Sequence, residues 1–275
     1  MMLTAEVWIA PGQFSFPLNL PNEFFGIFPT GTIANEDMPW ATEIDTKLLK
    51  LPSLFWGNYT YCEAAFYHAD SKSVLVTDAA VFVDRKPPDV IPYDSLVDLG
   101  AEDGFTISLL RAVDFRGGRT LPGAGATRDD PKGCASVGWK RMALFSLFIA
   151  PDAKNILKPS SSFEGMAGKF VVSPIVYEIV FQFYRSEVRA WAEDVGRWRD
   201  ARRVISAHFP ICEGNNNVKP FNRGASPVAR FVRAFDWAKS TDAAPVEYVD
   251  RDDLASLELV VGALRFIRAV PVLTK

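Results

Sequence analysis

The stretch Tyr61-Cys-Glu-Ala-Ala-Phe-Tyr-His-Ala-Asp-Ser-Lys-Ser-Val-Leu-Val-Thr-Asp78 decides how the first half of the chain is read. Two runs rich in β-branched and aromatic residues flank the polar break Asp70-Ser71, which is the pattern of a β-hairpin. If Ala69 faces Lys72, then Tyr67 faces Val74, Ala65 faces Val76 and Glu63 faces Asp78. Two carboxylates therefore meet at the open end of the hairpin. Like charges directly opposed destabilise, so a cation, a shared proton or a basic neighbour is expected there. His68 falls beside the turn, about five residues at roughly 3.3 Å each from that end. It is a poor partner for Asp78.

Outward from the hairpin, residues 6–10 and 43–51 also read as strands, and the flanking runs give strands over 59–68 and 73–78. Prolines Pro11, Pro17, Pro21 and Pro29 forbid a regular helix between residues 11 and 39, which is expected to cross the surface with its aromatics tucked inward. A short helix is expected over 93–99 and a mobile loop over 116–132, where Gly, Arg, Asp and Pro collect. Gly123-Ala-Gly125 lacks the spacing of a phosphate cradle. From 139 to 199 the pattern turns helical. Ser161-Ser162-Phe163-Glu164 has the form of a capping box. Val188, Trp191, Val195 and Trp198 make one apolar stripe on a helix over 186–200, with the tryptophans assigned to the core. A buried strand over 203–207 delivers His208 at its end, and helices over 228–239 and 254–268 follow, the second with Leu254, Leu257, Val261 and Leu264 on one face.

Thirty basic against 33 acidic residues, a net charge of −3, supplies no field to hold a phosphate backbone, so nucleic acid is not an expected partner. Cys62, Cys134 and Cys212 are an odd number without a C-x-x-C pair, which argues against a disulfide framework or a zinc finger. Asn58-Tyr59-Thr60 matches a glycosylation sequon with no secretory signal before it, and is read as chance. The most apolar tracts, 142–150 and 170–184, are too short or carry Ser173, Pro174 and Glu178, so no transmembrane segment is expected. The length suits one sizeable domain.

The chain has only two histidines, His68 and His208. A mechanism needing two or three His ligands from these residues is not expected, and no G-x-S-x-G elbow supports a serine triad. Cys212 lies four residues from His208, yet nothing around it lowers a thiol pKa. His208 with Asp78 and Glu63 could form an incomplete metal shell for zinc, iron or manganese, since a catalytic zinc takes three protein ligands and an open position. The competing reading, a structural His hydrogen-bonded to a buried Asp, carries more weight on residues alone.

Val7-Trp-Ile-Ala-Pro-Gly-Gln-Phe-Ser-Phe-Pro-Leu-Asn-Leu-Pro21, Phe24-Phe-Gly-Ile-Phe28, Pro39-Trp-Ala-Thr-Glu-Ile-Asp45, Glu63-Ala-Ala-Phe-Tyr-His68, Val74-Leu-Val-Thr-Asp-Ala79, Gly138-Trp-Lys-Arg-Met142, Val172-Ser-Pro-Ile175, Ser206-Ala-His-Phe209 and Ala234-Phe-Asp-Trp237 resemble, in order, the family called domain of unknown function 4336. The resemblance implies an α+β fold, a metallo-β-lactamase-like αββα sandwich. Its first half would precede Val7, so the fold is expected to be incomplete at the N-terminus. Residues 1–240 would form that domain, with a helical insertion over about 139–200, and 241–275 a C-terminal helical extension. By position Asp78 would match the bridging Asp and His208 the final His of active relatives, whose early H-x-H-x-D-H motif has no counterpart here. Glu63 would stand near the place of a further His.

These readings converge on a degenerate, non-catalytic domain that binds a small molecule or protein partner, in the chloroplast or cytoplasm by resemblance. The alternative is a metal-dependent hydrolase of an ester, thioester or phosphoester, its metal held by Asp78, His208 and Glu63. An exposed sheet edge left by a missing half-fold would also favour a homo-oligomer.

Overall fold

A computed structural model describes residues 5–12, 20–34, 38–51, 60–104, 107–108, 126–148, 151–213, 226–239 and 250–266. The strands are β1 (Trp8–Ile9), β2 (Gly31–Thr32), β3 (Ile44–Lys50), β4 (Cys62–His68), β5 (Ser73–Val76), β6 (Val81–Val83), β7 (Lys169–Val171), β8 (Arg203–Ser206) and β9 (Cys212–Glu213). The helices are α1 (Tyr93–Gly100), α2 (Pro131–Leu147), α3 (Ala153–Leu157), α4 (Ser160–Met166), α5 (Pro174–Ile179), α6 (Arg185–Val195), α7 (Pro227–Arg233) and α8 (Arg251–Phe266). The architecture is mixed α+β. No helix among the described residues is long and apolar enough to cross a membrane. The Asn58 sequon, Gly123-Ala-Gly125 and most of the expected loop over 116–132 lie outside the described residues.

The central sheet has the order β3-β4-β5-β8-β9. Its hairpin has the expected register, with Phe66 opposite Leu75, Tyr67 opposite Val74 and His68 opposite Ser73. The turn is closed by Lys72 at φ 52°, the left-handed residue that a short hairpin loop needs. β5 and β8 run parallel, Val76 beside Ser206. Parallel neighbours require a long crossover, and here it contains β6, β7 and helices α1 to α6. Both strands therefore end at the same edge of the sheet.

One face of the sheet, carrying Leu49, Ala65, Tyr67, Val74 and Val204, packs on the α6 stripe of Val188, Trp191 and Val195 and on Phe231 and Phe235. The tryptophans belong to this core. Trp198 stacks on Tyr67 with ring centroids 5.5 Å apart, and the indole N–H of Trp191 donates to the carbonyl of Lys47 (3.0 Å), covering part of the edge strand β3. Burial of such aromatics contributes about 2–3 kcal/mol each. The two-stranded ribbon β6-β7 divides this core from a second. Phe82 and Phe170 face the first, while Val81, Val83 and Val171 face the second, as the period-two alternation of a strand demands.

The second core is helical. α1 and α2 touch backbone to backbone, because a Cβ on Gly100 would lie 1.7 Å from the Cys134 carbonyl and one on Gly138 2.0 Å from that of Leu96. Arg141, fully buried, donates to the carbonyls of Leu99, Gly100, Ile156 and Leu157. A cation thus meets the C-terminal carbonyls of α1 and α3, where the helix dipole is negative. α8 joins this core through Leu254 and Leu257, and buried Asp253 accepts hydrogen bonds from the Asp152 N–H (2.9 Å) and the Ser162 hydroxyl (2.7 Å).

Several sequence expectations are corrected. α2 begins at Pro131, ahead of residue 139, because Asp130 caps the Gly133 N–H and proline occupies the first turn. The capping box at Ser161 does not form: α4 starts at Ser160, the Ser162 hydroxyl goes to Asp253, and Glu164 pairs with Arg85 and Lys140. The segment 139–199 is not wholly helical, since β7 lies within it. α6 ends at Val195, and the helix expected over 228–239 breaks into α7 and a 3-10 turn at Asp236–Lys239. Phe24, Phe25 and Phe28 are exposed rather than tucked inward. A single 3-10 turn, Asn22–Phe25, ended by left-handed Gly26, is too short to present one face to a core.

Candidate functional site

Glu63 lies on the buried face of β4 and is 1% exposed. Its carboxylate accepts from the Thr77 N–H (2.7 Å), the Thr77 hydroxyl (2.6 Å), the Asp78 N–H (3.3 Å) and the Tyr61 hydroxyl (3.4 Å). Of the cation, shared proton or basic neighbour expected beside two opposed carboxylates, the basic neighbour is present on the Asp78 side, where His208 approaches, while the Glu63 side is met by these donors. They also explain why β5 stops at Val76: the next two amides turn to a side chain instead of the β4 backbone. Burial pushes the Glu63 carboxyl up, the Thr77 and Asp78 hydrogen bonds pull it back, and the nearby Asp78 charge pushes it further up. Burial, then the Glu63 and Asp78 charges, hold the Tyr61 phenol well above its ordinary range.

Beyond β8 the chain turns sharply. The Ser206 hydroxyl donates to the His208 carbonyl (2.7 Å), and Phe209 takes φ 74°, a left-handed conformation that costs a bulky residue on the order of 1–2 kcal/mol. Its ring meets Trp139 edge-on at 6.0 Å, which holds the turn in place. The outcome is that His208 Nε2 lies 3.2 Å from Asp78 Oδ1. The two residues are far apart in sequence and are joined because β5 and β8 are parallel neighbours.

The pair is open to solvent, with side-chain exposures of 69% for His208 and 53% for Asp78. The Asp of the competing reading is therefore not buried, while its contact with the histidine is present. Both residues line an open pocket of about 750 Å³, with Val81, Ile91, Trp139, Met142, Leu147, Ile175, Val176 and Phe209 among its apolar walls and Ser146 and Ser173 as further polar groups. Trp139 is fixed by donating its indole N–H to the Asp84 carbonyl (2.9 Å). Volume and lining match those of small-molecule sites, which are mostly apolar with a few placed polar groups.

His68 is not part of this arrangement. Its Nδ1 lies 2.8 Å from the Ser71 hydroxyl at the turn end of the hairpin, as expected. Cys212 is no nucleophile partner for His208: it is buried in β9, and burial pushes its thiol up to about 11 against the opposing charge of Arg230. Of the three residues considered for a metal, Asp78 and His208 come together, whereas the oxygens of Glu63 are occupied behind them. Among the described residues, no group of three or more His, Cys, Asp or Glu is gathered for a metal ion. Among the described residues two donors converge, one short of the three protein ligands that a catalytic zinc takes.

Tyr61, Thr77, Trp139 and Phe209 were not singled out as site residues from sequence. Thr77 carried a signal, since a threonine opposite the end of a buried acid is a natural donor. The pocket walls carried none, because they come from separate segments, each apolar enough to read as core.

The family model described as Domain of unknown function (DUF4336) matches residues 2–165 and 157–224. The chain belongs to this family. Comparison with curated proteins and with solved structures returned no match.

Proposed function

We propose that the protein is a degenerate metallo-β-lactamase-like domain, non-catalytic, that binds a small molecule in the pocket at the ends of β5 and β8. The observation that carries this reading is the open, largely apolar pocket of about 750 Å³ with the Asp78–His208 pair in its lining. The position of an Asp and a His at neighbouring parallel strand ends supports the metallo-β-lactamase-like relationship that the sequence resemblance implies. A chloroplast or cytoplasmic setting is part of the same proposal and is supported by that resemblance alone. A protein partner, including a second copy of the chain, is the competing occupant; light scattering that gives a monomeric mass at all concentrations removes the second copy.

The alternative, a metal-dependent hydrolase of an ester, thioester or phosphoester, draws on one observation: atoms 3.2 Å apart on Asp78 and His208 can reach a common ion. Elemental mass spectrometry of the purified protein and of His208→Ala decides between them. The binding reading expects far less than one zinc, iron or manganese per chain in both samples, even after reconstitution. About one metal per chain, lost in His208→Ala, would overturn it in favour of the hydrolase.

A further inference from the structure

We infer that the pocket takes a hydrophobic amine, an apolar body carrying an ammonium group that docks on Asp78. The inference rests on the small-molecule reading of the same pocket and adds the chemistry of the ligand. Among the described residues that line it there is one acid, Asp78, one histidine, and no lysine or arginine. The groups hydrogen-bonded behind Asp78 do not supply a cation either, because Glu63 is an acid whose own donors are amides and hydroxyls. His208 turns its Nε2 toward Asp78, so that nitrogen is directed at the acid and not at an incoming anion.

A carboxylate or phosphate ligand would therefore be placed beside Asp78 with no fixed positive charge among the described lining residues to hold it. An ammonium gains a charge-assisted hydrogen bond to the Asp78 carboxylate. Tyr61, Trp139 and Phe209 supply three rings in the lining, and a cation that reaches the face of such a ring is attracted to it. The rest of the ligand must be apolar, because most of the wall is hydrocarbon and burying an unpaired polar group there is unfavourable. Charge and hydropathy thus specify opposite ends of one molecule.

Calorimetric titration of the full chain near neutral pH with phenethylamine, phenethyl alcohol and phenylacetate tests this, because the three share a body and differ in the head group. The amine is expected to bind at least about tenfold more tightly than the acid. Asp78→Asn is expected to weaken amine binding about tenfold while leaving the alcohol within about twofold. Equal or tighter binding of phenylacetate, or an amine preference unchanged in Asp78→Asn, would overturn the amine inference, and binding of the alcohol would then leave the pocket reading standing. Failure of all three probes to bind would overturn both.

Discussion

The two ends of the β4-β5 hairpin are built from the same kinds of residue and do different work. At the turn end His68, Ser71 and Ser73 bond among themselves, over a span of six residues that runs from half-buried His68 through exposed Ser71 to buried Ser73. At the open end Glu63 is buried, collects four donors, and sets Asp78 beside a histidine brought in by β8 after a crossover of more than a hundred residues. Local chemistry completes the first end. The second is completed only by topology, and it is the one that lines a pocket.

The largest expected effect is at the open end. Glu63→Ala leaves the Thr77 and Asp78 donors without their acceptor and should destabilise the protein by about 3 kcal/mol in urea titrations. Near-normal stability would mean that Glu63 does not organise this end. The pH dependence sharpens the point. Because burial raises the folded-state pKa of Glu63 above its unfolded value, its ionisation favours the unfolded chain. Its contribution is fully present below the ordinary carboxylate range and is lost as pH rises through the raised value. Wild-type stability relative to Glu63→Gln should therefore fall as pH rises through that window, and a difference independent of pH would contradict the assignment.

Next to the turn, Tyr67 donates to Asp200 (2.8 Å), which also pairs with Lys72 at 3.2 Å. The tyrosine hydrogen bond, offset by partial desolvation and aided by Lys72, holds the Asp200 carboxyl below its usual range. This depressed value gives stability that is present above the unfolded pKa and lost as pH falls through the folded one. Asp200 is more than half exposed, so solvent discounts the pair. Tyr67→Phe should cost about 1 kcal/mol at neutral pH and less in acid, followed by thermal denaturation across pH. The smallest effect belongs to the turn: His68→Ala should change stability by less than about 0.5 kcal/mol and leave ligand binding at the other end unaltered. A loss of binding in that variant would break the contrast between the two ends.

The same contrast explains what was legible in the sequence. Register, turn position and the exclusion of His68 from the site follow from residue alternation over a short span, and the structure has them as read. The α6 stripe and the Leu254, Leu257 and Val261 face of α8 are likewise periodic and local. Asp130-Pro131 also signalled a helix start, but the surrounding Gly- and Asp-rich composition masked it. The Ser161 capping box failed for a different reason: its serine neighbour and its glutamate are claimed by Asp253, Arg85 and Lys140, contacts that exist only once distant elements have packed. Asp78 and His208 could be named separately as strand-end residues, whereas their shared pocket depends on walls from β6, α2 and α5 that no sequence window contains.

Nitrogen-15 NMR titration with phenethyl alcohol tests most directly whether the pocket at the ends of β5 and β8 is the functional site. The account predicts shifts concentrated on the Trp139 indole N–H and on the backbone amides of Val81, Ile175 and Phe209, saturating together. Shifts centred instead on the groove between β3 and α6, lined by Lys50, Trp191 and Arg197, or no saturable shift anywhere, would contradict it.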